Sequence, residues 1–374
     1  MASEPTATKG PLLEEIVRDY FARQGFFALR GVPLRFDGTD VTDVDIWLYA
    51  RQSASIRTRV VVDVKNKRQP RALERVLWTK GLQAILGADR AIVVTTDNNP
   101  QIAKFGQQHK VVVLTKSFLD RLQKTLSLQD RITSEELLGK LREYEAQKAD
   151  GDWVRYLEET KSGLISLPGF PAFNRAAASF AFFAQRIESR PHFAEQALRC
   201  ALLCAAIGCI ALDAALERFV FDEPETRNKA ILDGITYGDS GDGRTQKSIE
   251  NVLSLIQESM DGGRVLANEA RSRIAVQFAS VRADILADFF SREHNSSQLV
   301  PVARDLEALA HSRTAPKTGS LSAEARAVLG VFADFSKLRR ASLLGSASPA
   351  PARSGAEKAD SQPIAESPDQ GKLI

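Results

Sequence analysis

The chain has 374 residues, 26 % of them charged and 44 % apolar, with a formal net charge of +3. That length exceeds one ordinary core and predicts two domains with tails, in a composition typical of soluble globular proteins. So small a net charge excludes overall basicity as evidence for a nucleic-acid partner, so any such case must come from local clusters.

In chain order, residues 1–9 are small and polar and are expected to be disordered. They lack the basic flank and apolar core of a signal peptide. Leu12, Leu13, Ile16, Val17, Tyr20 and Phe21 recur at helical spacing, with Gly25 as a stop. Phe26 to Leu29 predicts a short strand, followed by a turn-rich stretch whose strongest signal is Asp37-Gly38. Then comes alternation. Val44, Ile46 and Leu48 point one way, and Asp43, Asp45, Trp47 and Tyr49 the other. Thr58 to Lys65 is a valine-rich strand, joined to its predecessor by the polar segment Gln52 to Arg57, and a hairpin is the simplest connection.

A helix from Pro70 to Gly87 takes its apolar positions from Leu73, Val76, Leu77, Leu82, Ile85 and Leu86. Ala91 to Thr95 is a buried strand, Asn99-Pro100 opens a helix to Gln107, Val111 to Leu114 is a short strand, and Ser117 to Leu126 is a helix. The order helix, three strands, helix, strand, helix, strand, helix predicts an α/β domain over residues 10–127, a mixed sheet covered by helices on both faces.

From 128 to 340 the pattern is helical throughout, predicting an all-α domain. Its segments are Ser134–Ala149, Trp153–Lys161, Ala172–Glu188, His192–Phe221, Thr245–Met260, Val265–Phe290 and Leu321–Lys337. The longest uncharged apolar run, Cys200 to Leu212, is shorter than the roughly 20 residues of a membrane span and reads as a buried helix. Three cysteines at 200, 204 and 209 have helical spacing and an odd count. They predict buried, reduced thiols in a cytoplasm, and the short apolar run with no signal peptide predicts a soluble protein without a membrane association. Residues 341–374, rich in Ser, Ala and Pro, are expected to be a disordered tail.

The chemistry concentrates in the first domain. Residues two apart on a strand share a face, so Asp63 and Lys65 project together, and Asp43 and Asp45 share a face on the strand before. If the hairpin pairs these strands, Asp45 and Asp63 converge. Two close carboxylates resist joint ionisation, and a hard divalent cation relieves them. Such an ion also lowers the pKa of a bound water, while Lys65 can orient or deprotonate that water and stabilise a pentavalent phosphate. Asp43 reads equally as an outer ligand or as a solvated charge.

With Glu14 at the start of the first helix and Gly25-Phe26 at its end, these residues resemble the PD-(D/E)xK nuclease superfamily, in its Mrr-like and RecB-like branches. The strand VTDVDIWLY matches the family's acid strand at Asp45, and VVVDVKNK matches its (D/E)xK strand at Asp63 and Lys65. The segments GADRAIVVTTDNN and HKVVVL are similar to the late strands of Mrr-like domains. The resemblance covers about residues 11–120, and Val44 departs from it where the family often has Pro. It implies a restriction-endonuclease-like core and Mg²⁺ (or Mn²⁺) held by Asp45, Asp63 and the Val64 main-chain carbonyl. It also implies catalytic roles for Asp45, Asp63, Lys65 and Glu14, with Glu15 the alternative to Glu14 and Gln83 a candidate on the following helix. The implied activity is hydrolysis of DNA, as in bacterial restriction or defence. RNA cleavage and a non-catalytic binding module on the same fold are the alternatives.

Beside this site lie Lys67, Arg68, Arg71 and Arg75, a basic run suited to phosphate contacts that weaken with salt. Trp78 and Lys80 could line a DNA groove, though Trp78 is better read as packing. Gly238 to Thr245 has P-loop glycine spacing, but Arg244 replaces the lysine and no strand precedes it, which favours an interhelical loop. The helical half is open to DNA binding, partner sensing or homo-oligomerisation.

Overall fold

A computed structural model of the chain describes residues 9–65, 71–125, 130–167, 169–238 and 243–345. The proposed tails at 1–8 and 346–374 lie outside them. The first part of the chain is α/β. Helix α1 (Lys9–Arg23) precedes β1 (Phe27–Phe36), β2 (Thr39–Arg51) and β3 (Arg57–Lys65). Then come α2 (Ala72–Ile85), β4 (Arg90–Thr95), α3 (Pro100–Gln108), β5 (Val111–Leu114) and α4 (Lys116–Thr125). The five strands lie in chain order in one mixed sheet, antiparallel from β1 to β3 and parallel from β3 to β5.

Strand β1 is much longer than its expected start at Phe26–Leu29. Gly31 and Pro33 interrupt the sequence pattern, but β1 is an edge strand, where Pro is tolerated. Asp37 and Gly38 both have positive φ, 48° and 77°, the backbone of the tight turns that join twisted hairpin strands. The hairpin expected between β2 and β3 is present, closed by the Gln52 amide on the Ile56 carbonyl at 2.9 Å.

Each sheet face has its own cover. Ala28, Ile46, Leu48, Val60, Val62, Val64 and Val94 pack under α1 and α4, against Leu13, Val17, Phe21 and Leu119. The other face carries Phe27, Leu29, Trp47, Tyr49, Val61 and Val93, and belongs to a core shared with the helical half. Val44 joins this second set rather than Ile46 and Leu48. The expected alternation slips there because the ladder of β1 and β2 passes over Gly31 and Asp45, and Gly31 has a φ of 55°.

The helical half comprises α5 (Ser134–Arg142), α6 (Trp153–Ser166), α7 (Phe170–Ser189), α8 (Ala194–Leu216), α9 (Pro224–Tyr237) and α10 (Arg244–Ser259). It continues with α11 (Gly263–Ala279), α12 (Ala283–Phe290), α13 (Glu293–Ser297), α14 (Leu299–Ala310), α15 (Ala323–Phe335) and α16 (Arg340–Leu344). Helices α9 and α14 fall where the sequence predicts none, and three further expectations need correction. The single helix over Val265–Phe290 is two, broken where Arg282 adopts a φ of 35°. The helix from Ser134 ends at Arg142 and yields to a 3-10 turn at Glu145–Gln147. Order continues past 340, because Leu343 of α16 is buried in the shared core.

Helix α8 runs through the middle of this core. With its flanking turns it spans Pro191–Phe219 and, with a mean hydropathy of 2.0 over its most apolar 18 residues, is long and apolar enough to cross a membrane by length and composition. Yet 89 % of its most apolar window is buried within the protein, and it carries two buried charges that hydrogen-bond to other elements. Arg199 donates to the carbonyls of Ala310, Ser312 and Thr314, and Asp213 accepts from Tyr49 Oη at 2.6 Å and from Arg57. Cys200, Cys204 and Cys209, all on α8, are free and buried as expected, and burial pushes the Cys204 thiol up to about 12.

Candidate functional site

The site lies where β2 and β3 part. Their ladder runs from Arg51–Arg57 to Ile46–Val62, and the next step of that register sets Asp45 opposite Asp63. There Asp45 Oδ2 accepts the Val64 amide at 2.7 Å, a side chain standing in for a strand carbonyl. The same residue is passed over by β1, so its carboxylate is turned toward β3 at a local splay of the sheet.

Lys65 closes the group. Its Nζ is 3.5 Å from Asp45 Oδ2 and 3.6 Å from Asp63 Oδ1. The three side chains are mostly shielded but reachable, with exposures of 17 % for Asp45, 6 % for Asp63 and 27 % for Lys65. Burial, and then the charge of Asp63, raises the Asp45 carboxyl above its ordinary range despite the opposing pull of Lys65 and the Val64 amide.

The two glutamates of α1 separate cleanly. Glu14 is bound by Arg30 Nη2 at 2.7 Å, and its pKa is raised, chiefly by burial and further by Asp45 and Glu135, so it borders the site electrostatically. Glu15 is buried and wholly engaged by Arg18, Arg30 and Arg131. Burial alone would raise its pKa, but these arginines hold it below the carboxylate range. Glu15 is therefore part of an internal ion network and not an alternative to Glu14.

Asp43 is exposed and paired in register with Pro33, outside the convergence. Gln83 is elsewhere. Its amide donates to the carbonyls of Ala88 at 3.1 Å and Asp89 at 3.0 Å, and its oxygen accepts from Lys80. Those carbonyls precede β4, whose Arg90 pairs with Val60, toward the opposite end of the strands from Asp63. Gln83 thus staples the turn between α2 and β4. Val64, implied as a ligand through its carbonyl, meets the site through its amide, with its side chain on the far face.

The basic run divides too. Lys67 and Arg68 lie outside the described residues. Arg71 is exposed, opens α2 with a φ of 44°, and stands 3.5 Å from Glu74. Arg75, read as a phosphate contact, instead grips Asp63 with two nitrogens, Nε on Oδ2 at 2.9 Å and Nη2 on Oδ1. This grip was hidden by the rotation of α2. The helix buries Ala72, Val76, Thr79 and Leu82, leaving Leu73, Leu77 and Ile85 exposed. Trp78 is likewise exposed rather than packed.

Two convergent carboxylates, one with a raised pKa, are a donor set that fits a hard divalent cation. The fit requires Arg75 to leave Asp63, because its guanidinium now holds both oxygens. Among the described residues, no three His, Cys, Asp or Glu side chains are grouped as a metal site. Comparison of the chain with protein-family models, with curated proteins and with solved structures gives no match.

Proposed function

We propose that the chain is a metal-dependent nuclease that hydrolyses DNA phosphodiester bonds on a restriction-endonuclease-like core. One observation carries this reading: Lys65 Nζ sits 3.5 and 3.6 Å from Asp45 and Asp63, where two adjacent strands part. The element order, three antiparallel strands and then a helix crossing to a parallel strand, agrees with that core. Asp45 and Asp63 would hold Mg²⁺ or Mn²⁺, which supplies positive charge and an acidified water. Lys65 orients that water and offsets charge building on the phosphate. Glu14 adds a carboxylate at the border, and Arg71 offers a cation to the backbone. Arg75 must exchange Asp63 for another anion, and a substrate phosphate is the natural one.

A second reading, a nucleic-acid-binding module without turnover, draws on the same clamp, since Arg75 occupies the carboxylate that a metal needs. Purified protein incubated with supercoiled plasmid, linear duplex, single-stranded DNA and RNA, in Mg²⁺, Mn²⁺ or EDTA, separates the readings. Cutting of DNA in either metal and not in EDTA is expected, with Lys65→Ala slowing it about 10²- to 10⁴-fold and Asp63→Ala abolishing it. Metal-dependent cutting that survives both substitutions sinks the site assignment, and tight binding without cutting favours the module.

A further inference from the structure

We infer that Trp78 is a stacking platform for an unpaired nucleobase, so that the strand presented to the Asp45–Asp63–Lys65 site is single-stranded DNA. The inference rests on the nuclease reading and narrows its substrate. The sequence contains three tryptophans. Trp47 and Trp153 are buried in the shared core, whereas Trp78 is 47 % exposed on α2. Its neighbour one turn earlier, Arg75, places its guanidinium carbon 5.6 Å from the indole centroid while gripping Asp63. The indole is therefore a single guanidinium away from a carboxylate of the candidate site.

One turn further along α2 lies Gly81. It has no side chain, and nothing approaches within 4 Å of where its Cβ would be. The helix thus has a cation on one side of the indole and open space on the other. Arg71 caps α2 in a left-handed turn with a φ of 44° and pairs with Glu74, so Arg75 is the cation that stands beside the ring. An exposed aromatic face beside an arginine matches a nucleic-acid strand, whose bases stack and whose phosphates pair with arginine. A duplex hides the faces of its bases in its own stack, so the platform selects a single strand.

Full-length protein in EDTA, where no metal supports cutting, is titrated with a mixed-sequence single-stranded DNA and with the same sequence as duplex. Tryptophan emission and the anisotropy of labelled DNA are followed together. With Trp47 and Trp153 buried, quenching reports on Trp78. The single strand is expected to quench emission and to bind more tightly than the duplex. Trp78→Ala removes the quench and weakens single-strand binding about 5- to 150-fold, the equivalent of ~1–3 kcal/mol for one stacked base. Trp78→Phe, which keeps an aromatic face, restores part of the affinity. Gly81→Leu fills the open side and weakens binding with Trp78 in place.

The inference is overturned if the duplex binds as tightly as the single strand, if Trp78→Ala leaves single-strand affinity unchanged, or if no DNA binds. Its failure is distinct from failure of the nuclease reading. Plasmid cutting in Mg²⁺ together with a silent Trp78→Ala discards the platform alone. Binding that depends on Trp78 without cutting in any metal discards the nuclease and keeps the platform.

Discussion

Asp45 is held in a charge state that the fold disfavours. Its pKa is raised, first by burial and then by Asp63. A carboxyl whose folded pKa is raised stabilises the fold in its protonated form. That contribution is complete below the unfolded value of about 3.8 and is lost as the pH rises through the folded value. At neutral pH the Asp45 carboxylate therefore weakens the fold. Asp45→Asn keeps an oxygen for the Val64 amide and removes the charge. It should abolish metal-dependent cutting while raising stability at pH 7 by about 0.5–2 kcal/mol, a gain that thermal melts should show shrinking as the pH falls toward 4. Arg75→Ala frees Asp63, so titration calorimetry should find Mn²⁺ bound about tenfold more tightly, equivalent to ~1.4 kcal/mol. Unchanged Mn²⁺ affinity would mean that Asp63 is no ligand. The convergence of Asp45, Asp63 and Lys65 was readable in the sequence because Asp63 and Lys65 share parity on β3 and the hairpin register sets Asp45 opposite Asp63, whereas the slip of β2 that separates Asp43 from them was not. Nor was the partner of Asp63. Helix α2 offers two apolar stripes, Val76 with Leu82 and Leu73 with Leu77, and only packing decides which one turns inward.

Glycines on two elements give opposite predictions from the same substitution. Gly81 is exposed in the interior of α2, has ordinary helical φ, and has nothing within 4 Å of an added Cβ. Gly81→Ala should stabilise the protein by about 0.5–1 kcal/mol by restricting the unfolded chain. Gly106 in α3 is buried against β5, where an added Cβ would meet Val113 Cγ2 at 2.5 Å and the Val111 carbonyl oxygen at 2.7 Å. Backbone cannot yield as a side-chain end does, so Gly106→Ala should cost about 1–3 kcal/mol. Urea unfolding of the two variants measures both, and a loss at Gly81 or a gain at Gly106 would contradict this packing. Boundaries of elements were readable where the chain carries chemical punctuation. Helix α9 went unpredicted although its signals were present, Pro224 at its first turn and Gly238 at its end with a φ of 71°. The break between α11 and α12 had no such signal, since Ser280, Val281 and Arg282 include neither Gly nor Pro.

The change from mixed to all-helical pattern near residue 128 marks a change of element type, yet the packing across it is continuous. One face of the sheet, with Phe27, Leu29 and Tyr49, shares a core with α7 and α8. Buried charges cross the same seam. Glu307 of α14 binds Arg18 of α1 at 3.1 Å and also Arg131, while Arg30 of β1 reaches Glu135 of α5 at 3.0 Å. None of this could be read from sequence, because ion pairs separated by 289 and 176 residues leave no local pattern. The seam can be tested at Glu307. Burial alone would raise its pKa, but Arg131, Arg18 and His311 outweigh that and hold it well below the ordinary 4.5. A depressed carboxyl stabilises the fold above its unfolded pKa and loses that contribution as the pH falls through the folded value. Glu307→Gln should therefore cost about 3–5 kcal/mol near pH 7, because two buried arginines lose a shared carboxylate. The cost should hold from neutral pH down to about 4.5 and shrink only below it, as Glu307 in the parent chain becomes protonated. Urea unfolding of parent and variant between pH 7 and pH 3 measures the difference directly. A cost that is small at pH 7, or that stays constant down to pH 3, would show that the ion network is not what binds the sheet to the helices.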